Sequence, residues 1–308
     1  ALELVNEIAA RAEGFVAQPV RRVPHPAVRE AVLNGLIHRD WNRVEATDIR
    51  WIDFDSTLIV RSPGGFGGGI TEDNVLSNRF ARYPALADLF RALHLVEKQG
   101  LGVDRMYQAM ITLGHRPPII AEIAGPAVVC ELVGGAPVLP VVELVRGIRP
   151  SERQKDARIA ILLHHLLHQP FLTVGDAAAA LQVDVRSAEP AIHAAAQSTF
   201  AGVPIIRRHK DAWLLSTEAR DVARQAQRAP TLSFVPYVTT DASVLGEVAL
   251  KWADWHGSVT SGDLMELSGV SRGTAQRVLT DLVGAEFRQL GAGRSRRFEP
   301  LGSAIRAN

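Results

Sequence analysis

Cysteine is almost absent, with Cys130 the single one in 308 residues. That excludes an intramolecular disulfide and any cysteine-based zinc site, and it fits a reducing compartment. Long hydrophobic runs are missing too. The most apolar region, residues 123–145, is broken by Gly125, Pro126, Glu131, Gly134, Gly135, Pro137 and Pro140, whereas a membrane span needs about 20 mainly apolar residues. Residues 1–16 intersperse Glu3, Asn6, Glu7, Arg11 and Glu13 among apolar positions, an amphipathic helical pattern and not the apolar core of a signal peptide. A cytoplasmic protein with no membrane partner is therefore expected. A strong charge of one sign is also lacking: the net charge of +1 averages over domains, so only local patches speak about partners. Nucleophile settings such as Gly-x-Ser-x-Gly do not occur. His38-Arg39-Asp40 looks like a kinase catalytic loop, but Asn42 is misplaced and no lysine strand or Asp-Phe-Gly accompanies it. His164 and His168 have the i, i+4 spacing of metal ligands, yet no third ligand lies nearby, which leaves a solvated or packed helix face.

What is present starts with REAVLNGLIHRDW, residues 29–41. As a helix, this stretch puts Glu30, Asn34 and His38 on one stripe. Val28, Ala31, Val32, Gly35 and Leu36 fill much of the remaining circumference, so the helix is expected to be buried. Unpaired buried polar groups cost about 1–3 kcal/mol each, so the three either bond to protein groups in a core or line a pocket. Upstream, residues 1–17 read as a helix, followed by an extended segment with Pro24 and Pro26. Residues 48–65 read as two strands around a turn at Asp55 and Ser56. Five glycines then fall within positions 64–69, a loop that is either a plain connector or a backbone surface able to approach a ligand closely. Residues 83–99 and 103–114 read as helices, with Gly100 and Gly102 between them, and residues 117–134 read as a closing hairpin. Glycines ahead of a helix N-terminus suit a phosphate group.

In combination, PHPAVREAVLNGLIHRDW, RSPGGFGGGIT, RYPALADLF and VEKQGLGVDRMYQAM resemble the ATP-binding domain of RecG-related transcriptional regulators. That family is a divergent relative of the gyrase, chaperone, histidine-kinase and mismatch-repair ATPases (the GHKL fold). The resemblance covers about residues 20–135. It implies that Glu30 orients an attacking water in active members, that Asn34 ligates magnesium, and that Gly64, Gly65, Gly67 and Gly68 flank the nucleotide. Gly100 and Gly102 are implied near the phosphates, and Arg82 belongs to an Arg-Asn-Pro element in which Tyr83 replaces the Asn. His38, at the end of the stripe, is a further nucleotide-side candidate that either caps the pocket floor or pairs with a strand. Ser62 stands where the family usually has Asn, and the adenine-binding Asp-x-Gly-x-Gly loop of the wider superfamily is not visible. Family members often carry a Schlafen-type AlbA-like domain first. Because Ala1 opens the chain in mid-helix pattern, residues 1–19 are expected to be the remnant of such a missing domain.

The C-terminal half contains an internal repeat. Residues 172–192 align with residues 259–279 at a constant offset of 87, matching Thr173 with Thr260, Gly175 with Gly262, Asp176 with Asp263 and Val183 with Val270. Only two copies fit, so tandem domains are expected and not a solenoid. Residues 136–152, with three prolines, read as a linker. Each copy reads as a long helix, a short helix, a turn, a third helix and a hairpin, at 202–216 in the first and 287–300 in the second. Both resemble winged helix-turn-helix domains, at 153–230 and 231–308. In the second copy Ser271, Arg272, Thr274, Gln276 and Arg277 open the third helix, and Arg294, Arg296 and Arg297 load the wing. Six arginines against Asp281 and Glu286 make residues 271–298 a +4 patch, favourable for double-stranded DNA. The first copy is basic mainly in its wing, at Arg207, Arg208 and Lys210, and Pro190 is expected to interrupt its third helix. That copy reads as a packing or dimerising module, or else as a second DNA contact.

The expectation is thus an α+β chain: a GHKL-like α/β sandwich followed by two winged helices, acting as a DNA-binding transcriptional regulator that senses ATP with magnesium. The alternatives are an ATPase in a DNA-related process with Glu30 as general base, and a degenerate scaffold for homodimerisation.

Overall fold

The computed structural model describes residues 6–8, 20–96, 101–228 and 234–302. The fold is of the α+β class and divides into two compact units. One unit holds residues up to 164 together with 174–199, and the other holds 165–173 together with residues from 200 onward. The division falls inside the first repeat. No helix among the described residues is long and apolar enough to cross a membrane.

The first unit is built on a four-stranded antiparallel sheet, β3 (Asp48–Ile52), β4 (Thr57–Pro63), β5 (Ile119–Ile123) and β6 (Ala127–Val133), in the order β3-β4-β6-β5. A short ladder of β1 (Glu7–Ile8) and β2 (Val20–Arg21) precedes it. Both expected hairpins are present, with Ser56 in a left-handed conformation at the first turn. Helix α1 (His25–Ile37) starts with Pro26 in its first turn, where a missing N–H costs nothing. Helix α2 (Pro84–Ala92) begins the same way with Pro84. Helix α3 (Gly102–Ile111) is followed by Gly114 at φ +79°. Leu58, Val60, Cys130 and Leu132 on one sheet face meet Ala27 and Ala31 of α1 and Met106 and Met110 of α3, and this layer is the core. Burial keeps the Cys130 thiol protonated, pushed up to about 12.

Several expectations change here. Glu7 and Ile8 are strand and not helix; the Asn6 amide side chain fixes this pairing by donating to Val23 O at 2.8 Å and accepting from Val23 N at 2.7 Å. The rest of the expected N-terminal helix lies outside the described residues. The helix expected over 83–99 ends at Ala92, and residues 97–100, Gly100 among them, are outside the described set. Residues 136–152 are not a bare linker. They contain α4 (Leu139–Gly147), in which Pro140 occupies the first turn while Val141, Leu144 and Val145 are buried at helical spacing. Prolines there start a helix, which composition alone could not distinguish from a break.

Helix α5 (Ala157–His168) opens the first repeat and spans the boundary between units. In the first unit, α6 (Val174–Leu181) and α7 (Val185–Gln197) follow. Pro190 does not interrupt α7, because it sits on the exposed face, where the carbonyl it leaves unbonded can meet water. The second unit holds the hairpin β9 (Ile206–His209) and β10 (Ala212–Leu215), preceded by short strands β7 (Thr199–Phe200, which begins at the boundary) and β8 (Val203–Pro204). Then come α8 (Thr217–Arg224), α9 (Ala242–His256), α10 (Ser261–Ser268), α11 (Arg272–Asp281) and the hairpin β11 (Phe287–Leu290) with β12 (Arg297–Pro300).

The 87-residue offset recurs in local geometry. Leu172 bridges to Trp213 and Val259 to Phe298, adding the same short strand to each hairpin. Asp184 caps α7 and Ser271 caps α11. The turns between the helix pairs carry Gln182 at φ +55° and Gly269 at φ +71°. Glycine adopts that region freely, whereas a side chain there costs roughly 1–2 kcal/mol.

In the second unit Trp252 is fully buried, with Phe171 edge-on at 5.1 Å and His256 stacked at 5.4 Å. Asp263, 2% exposed, organises the polar side. Its carboxylate accepts from Thr260 N at 2.9 Å and closes a capping box, and it also takes Lys210 Nζ at 2.8 Å and His209 Nε2 at 2.9 Å. Burial alone would raise its pKa, but the bonds from Lys210, Thr260 and His209 together hold it below the usual carboxylate value. A depressed folded pKa stabilises above the unfolded carboxylate range and is lost as pH falls through the folded value. Asp263→Asn is expected to destabilise the second unit at pH 7 by on the order of 2 kcal/mol. In urea unfolding across pH, that gap should shrink below pH about 4; a gap constant from pH 7 to pH 3 would contradict the assignment.

Candidate functional site

The first unit contains a cleft of ≈ 490 Å³, within the usual range for small-molecule sites. Its walls are the polar stripe of α1, the glycine loop, the start of α3 and residues 70–82. Glu30 and Asn34 on α1 and His38 at its C-terminal cap all face it. Glu30 is only 4% exposed, and its Oε1 lies 3.3 Å from Arg29 Nη1 and 3.6 Å from Arg105 Nη1. Gly102 lets α3 approach this stripe. A Cβ at 102 would stand 2.6 Å from Glu30 Oε2 and 3.5 Å from Asn34 Nδ2. The Asn34 amide makes no hydrogen bond among the described residues. Burial, and then the Arg82 guanidinium, lower the His38 pKa and favour the neutral ring.

The glycine loop is held and not slack. Gly64 has φ +93°, and a Cβ there would meet Asp40 Cβ at 2.5 Å. The Glu122 carboxylate fills the space a side chain at 65 would need, and it accepts from Phe66 N at 2.7 Å. The Phe80 ring packs over Gly67 and Gly68, the latter at φ +61°. Arg82 donates from Nε to His38 O at 3.1 Å and from Nη2 to Gly65 O, so it ties the end of α1 to the loop. Tyr83, the departure from the Arg-Asn-Pro element, has a local use. Its hydroxyl donates to Asp40 Oδ1 at 3.0 Å and accepts from Trp41 N at 3.1 Å. Ser62 Oγ donates to Gly35 O at 2.7 Å, which leaves oxygen lone pairs able to accept.

Sequence reasoning passed over Arg29, Arg105, Arg79, Phe80 and Glu122. Arg105 near the start of α3, three residues past Gly102, was a usable signal, because a buried carboxylate such as Glu30 calls for a cationic partner. Glu122 gave none, since its role depends on the β5–β6 register bringing it under the loop.

The DNA candidates separate into two groups. On α11, Arg272, Gln276 and Arg277 are exposed, and neither arginine makes an ion pair among the described residues. Ser271 and Thr274 serve the cap: Ser271 Oγ accepts from Thr274 N at 3.2 Å and lies 3.0 Å from Thr274 Oγ1. In the two hairpins, β9–β10 and β11–β12, much of the charge is paired. Arg207 bonds Glu266, Lys210 bonds Asp263, and Arg208 lies 3.4 Å from Asp211. Arg297 lies 3.4 Å from Glu299, which also takes Arg288 at 2.7 Å. Arg296 is partly buried with Nε unbonded, and the Arg294 side chain lies outside the description. Among the described residues, no group of three or more His, Cys, Asp or Glu could hold a metal ion. His168 instead packs its ring 5.3 Å from Phe234.

The His38 ring is expected to titrate below the ordinary histidine value of about 6.5 in an NMR pH titration, with His38→Gln identifying its signal. A midpoint at or above that value would contradict the buried, Arg82-facing placement.

Residues 48–129 match the family described as "Putative ATP-dependent DNA helicase recG C-terminal". Residues 139–224, beginning where α4 begins, match a family of unknown function (DUF5635). Residues 240–301 match the family "Transcriptional regulator DIP2311-like, C-terminal domain". The first range begins after α1, so the helix carrying Glu30 and Asn34 lies outside it. The chain is similar to the crystal structure of the DIP2311 protein from Corynebacterium diphtheriae, with 48% identity and a TM-score of 0.86 over 96% of this chain. It spans 58% of the length of that protein. No protein of curated function matches the chain. An ATPase-like domain is thus joined to a domain of transcriptional-regulator type.

Proposed function

We propose that the protein is a DNA-binding transcriptional regulator whose first-unit cleft binds an adenine nucleotide with magnesium, and that the cleft senses the nucleotide and does not turn it over. The observation that carries this reading is the convergence of Glu30, Asn34 and the side-chain-free Gly102 on one cleft also walled by a braced glycine loop. The donor set fits magnesium, which takes oxygen ligands and keeps several waters. Asn34 offers an amide with no hydrogen-bond partner among the described residues, and Glu30 a carboxylate beside it. Magnesium held there would neutralise phosphate charge. Ser62 Oγ, whose proton goes to Gly35 O, is the acceptor available to an adenine amino group in place of the missing aspartate. Sensing is favoured over hydrolysis because Arg29 and Arg105 both flank Glu30 Oε1, so that oxygen is already engaged where an attacking water would need it.

Double-stranded DNA is the partner proposed for α11. Arg272, Gln276 and Arg277 stand exposed at the start of a helix that follows a short helix and a turn, where a recognition helix presents base-reading side chains. Hairpin β11–β12 would then be the wing, so this copy is read as a winged helix. The first wing, drawn onto Glu266 and Asp263, is read as a packing element.

Calorimetry with ATP and magnesium is expected to show one site in the wild type. Gly102→Ala should weaken it by at least tenfold, because the new Cβ displaces Glu30 or the phosphates. Ser62→Ala should cost about 1 kcal/mol. Heat of binding absent from the wild type would remove the nucleotide reading. Arg272→Ala with Arg277→Ala should weaken binding of duplex DNA and flatten its salt dependence by about two counterions; unchanged binding and slope would remove the DNA reading.

A further inference from the structure

The cleft has a lid whose outer side is gripped by a residue that neither the motifs nor the family matches assign. Residues 71–80 follow the glycine loop and contribute Val75, Asn78, Arg79 and Phe80 to the cleft wall. Gln182, in the turn between α6 and α7, holds this segment with both ends of its amide: Oε1 accepts from Leu76 N at 2.8 Å, and Nε2 donates to Glu72 O at 2.8 Å. Glu72 is tied onward, since its Oε1 accepts from Glu122 N at 3.1 Å. Glu122 in turn accepts from Phe66 N in the glycine loop at 2.7 Å. A continuous hydrogen-bonded path therefore runs from the α6–α7 turn through the lid to the loop, all within the first unit.

The backbone of Gln182 supplies an independent observation. Its φ of +55° is the left-handed conformation, and the equivalent turn in the second repeat, 87 residues on, places Gly269 there at φ +71°. Glycine is the residue such a turn asks for. A side chain at that position persists where the surrounding structure uses it, and here the use is the double bond to the lid.

We propose that Gln182 is a positioning residue that latches the lid over the cleft, so that the α6–α7 turn and occupancy of the cleft are thermodynamically linked. The ligand half of this statement rests on the nucleotide reading above; the latch itself does not. Linkage is reciprocal, so whatever moves the turn changes cleft affinity, and a ligand that closes the lid holds the turn.

The test is amide hydrogen exchange on the full chain, wild type against Gln182→Gly and Gln182→Asn, together with ATP–magnesium calorimetry. Gln182→Gly removes the latch while giving the turn its favoured residue, so the melting temperature should be unchanged or higher. Gln182→Asn tolerates the left-handed backbone but is one methylene too short to make both bonds. In each variant, exchange at Leu76 is expected to rise roughly tenfold or more, confined to residues 71–80, and ATP affinity to fall severalfold. Unchanged exchange at Leu76, or a rise spread evenly over the unit, overturns the latch. If the wild type binds no ATP, the exchange result still decides the latch, so its failure and that of the nucleotide reading are told apart. Localised loosening with unaltered ATP affinity overturns the positioning role.

Discussion

The cleft depends on a contact made possible by a missing atom. Because residue 102 has no Cβ, the first turn of α3 comes against the polar stripe of α1, with Glu30 Oε2 and the Asn34 amide occupying the space a side chain would fill. The Glu30 carboxylate could not sit there without partners, since an unpaired buried charge would neutralise or drive the helices apart. Arg29 and Arg105 supply the compensation for Glu30. The rest of the first unit builds outward from this junction. The sheet carries the apolar layer beneath α1 and α3, and the loop after β4 closes one side of the cleft under Phe80, Arg82 and Glu122.

The second unit is organised by a comparable economy of polar groups. Asp263 caps its own helix and at the same time receives the first hairpin through His209 and Lys210, while buried Arg220 donates to Leu215 O and Glu266 O at 2.8 Å each. Those bonds fasten the first hairpin and α8 to α10. Lys210 of the first hairpin is thereby ion-paired, whereas Arg272 and Arg277 on α11 make no ion pair among the described residues.

Local rules carried much of the fold in the sequence. The α1 stripe, both hairpins of the sheet and the 87-residue repeat follow from periodicity, turn chemistry and spacing, because each is settled within a few residues of the chain or by direct comparison of two stretches. Failures came where tertiary context decides. Composition alone reads Pro140 and Pro190 as interruptions, yet one begins a helix and the other sits on a solvent face. Glu7 joins a strand because Asn6 is bonded to Val23, seventeen residues away. At the site, residue types on one helix were legible, but Glu122, Gln182 and the pairing of Lys210 depend on elements far apart in sequence, which periodicity cannot see.

Paramagnetic relaxation tests most directly the proposal that the Glu30–Asn34–Gly102 junction holds a metal and a nucleotide. With Mn²⁺ in place of magnesium and ATP present, NMR signals of the Asn34 side-chain amide and the Gly102 backbone amide should broaden strongly, and an excess of magnesium should restore them. Broadening that spares both groups, or that appears equally without ATP across the surface, would contradict the account.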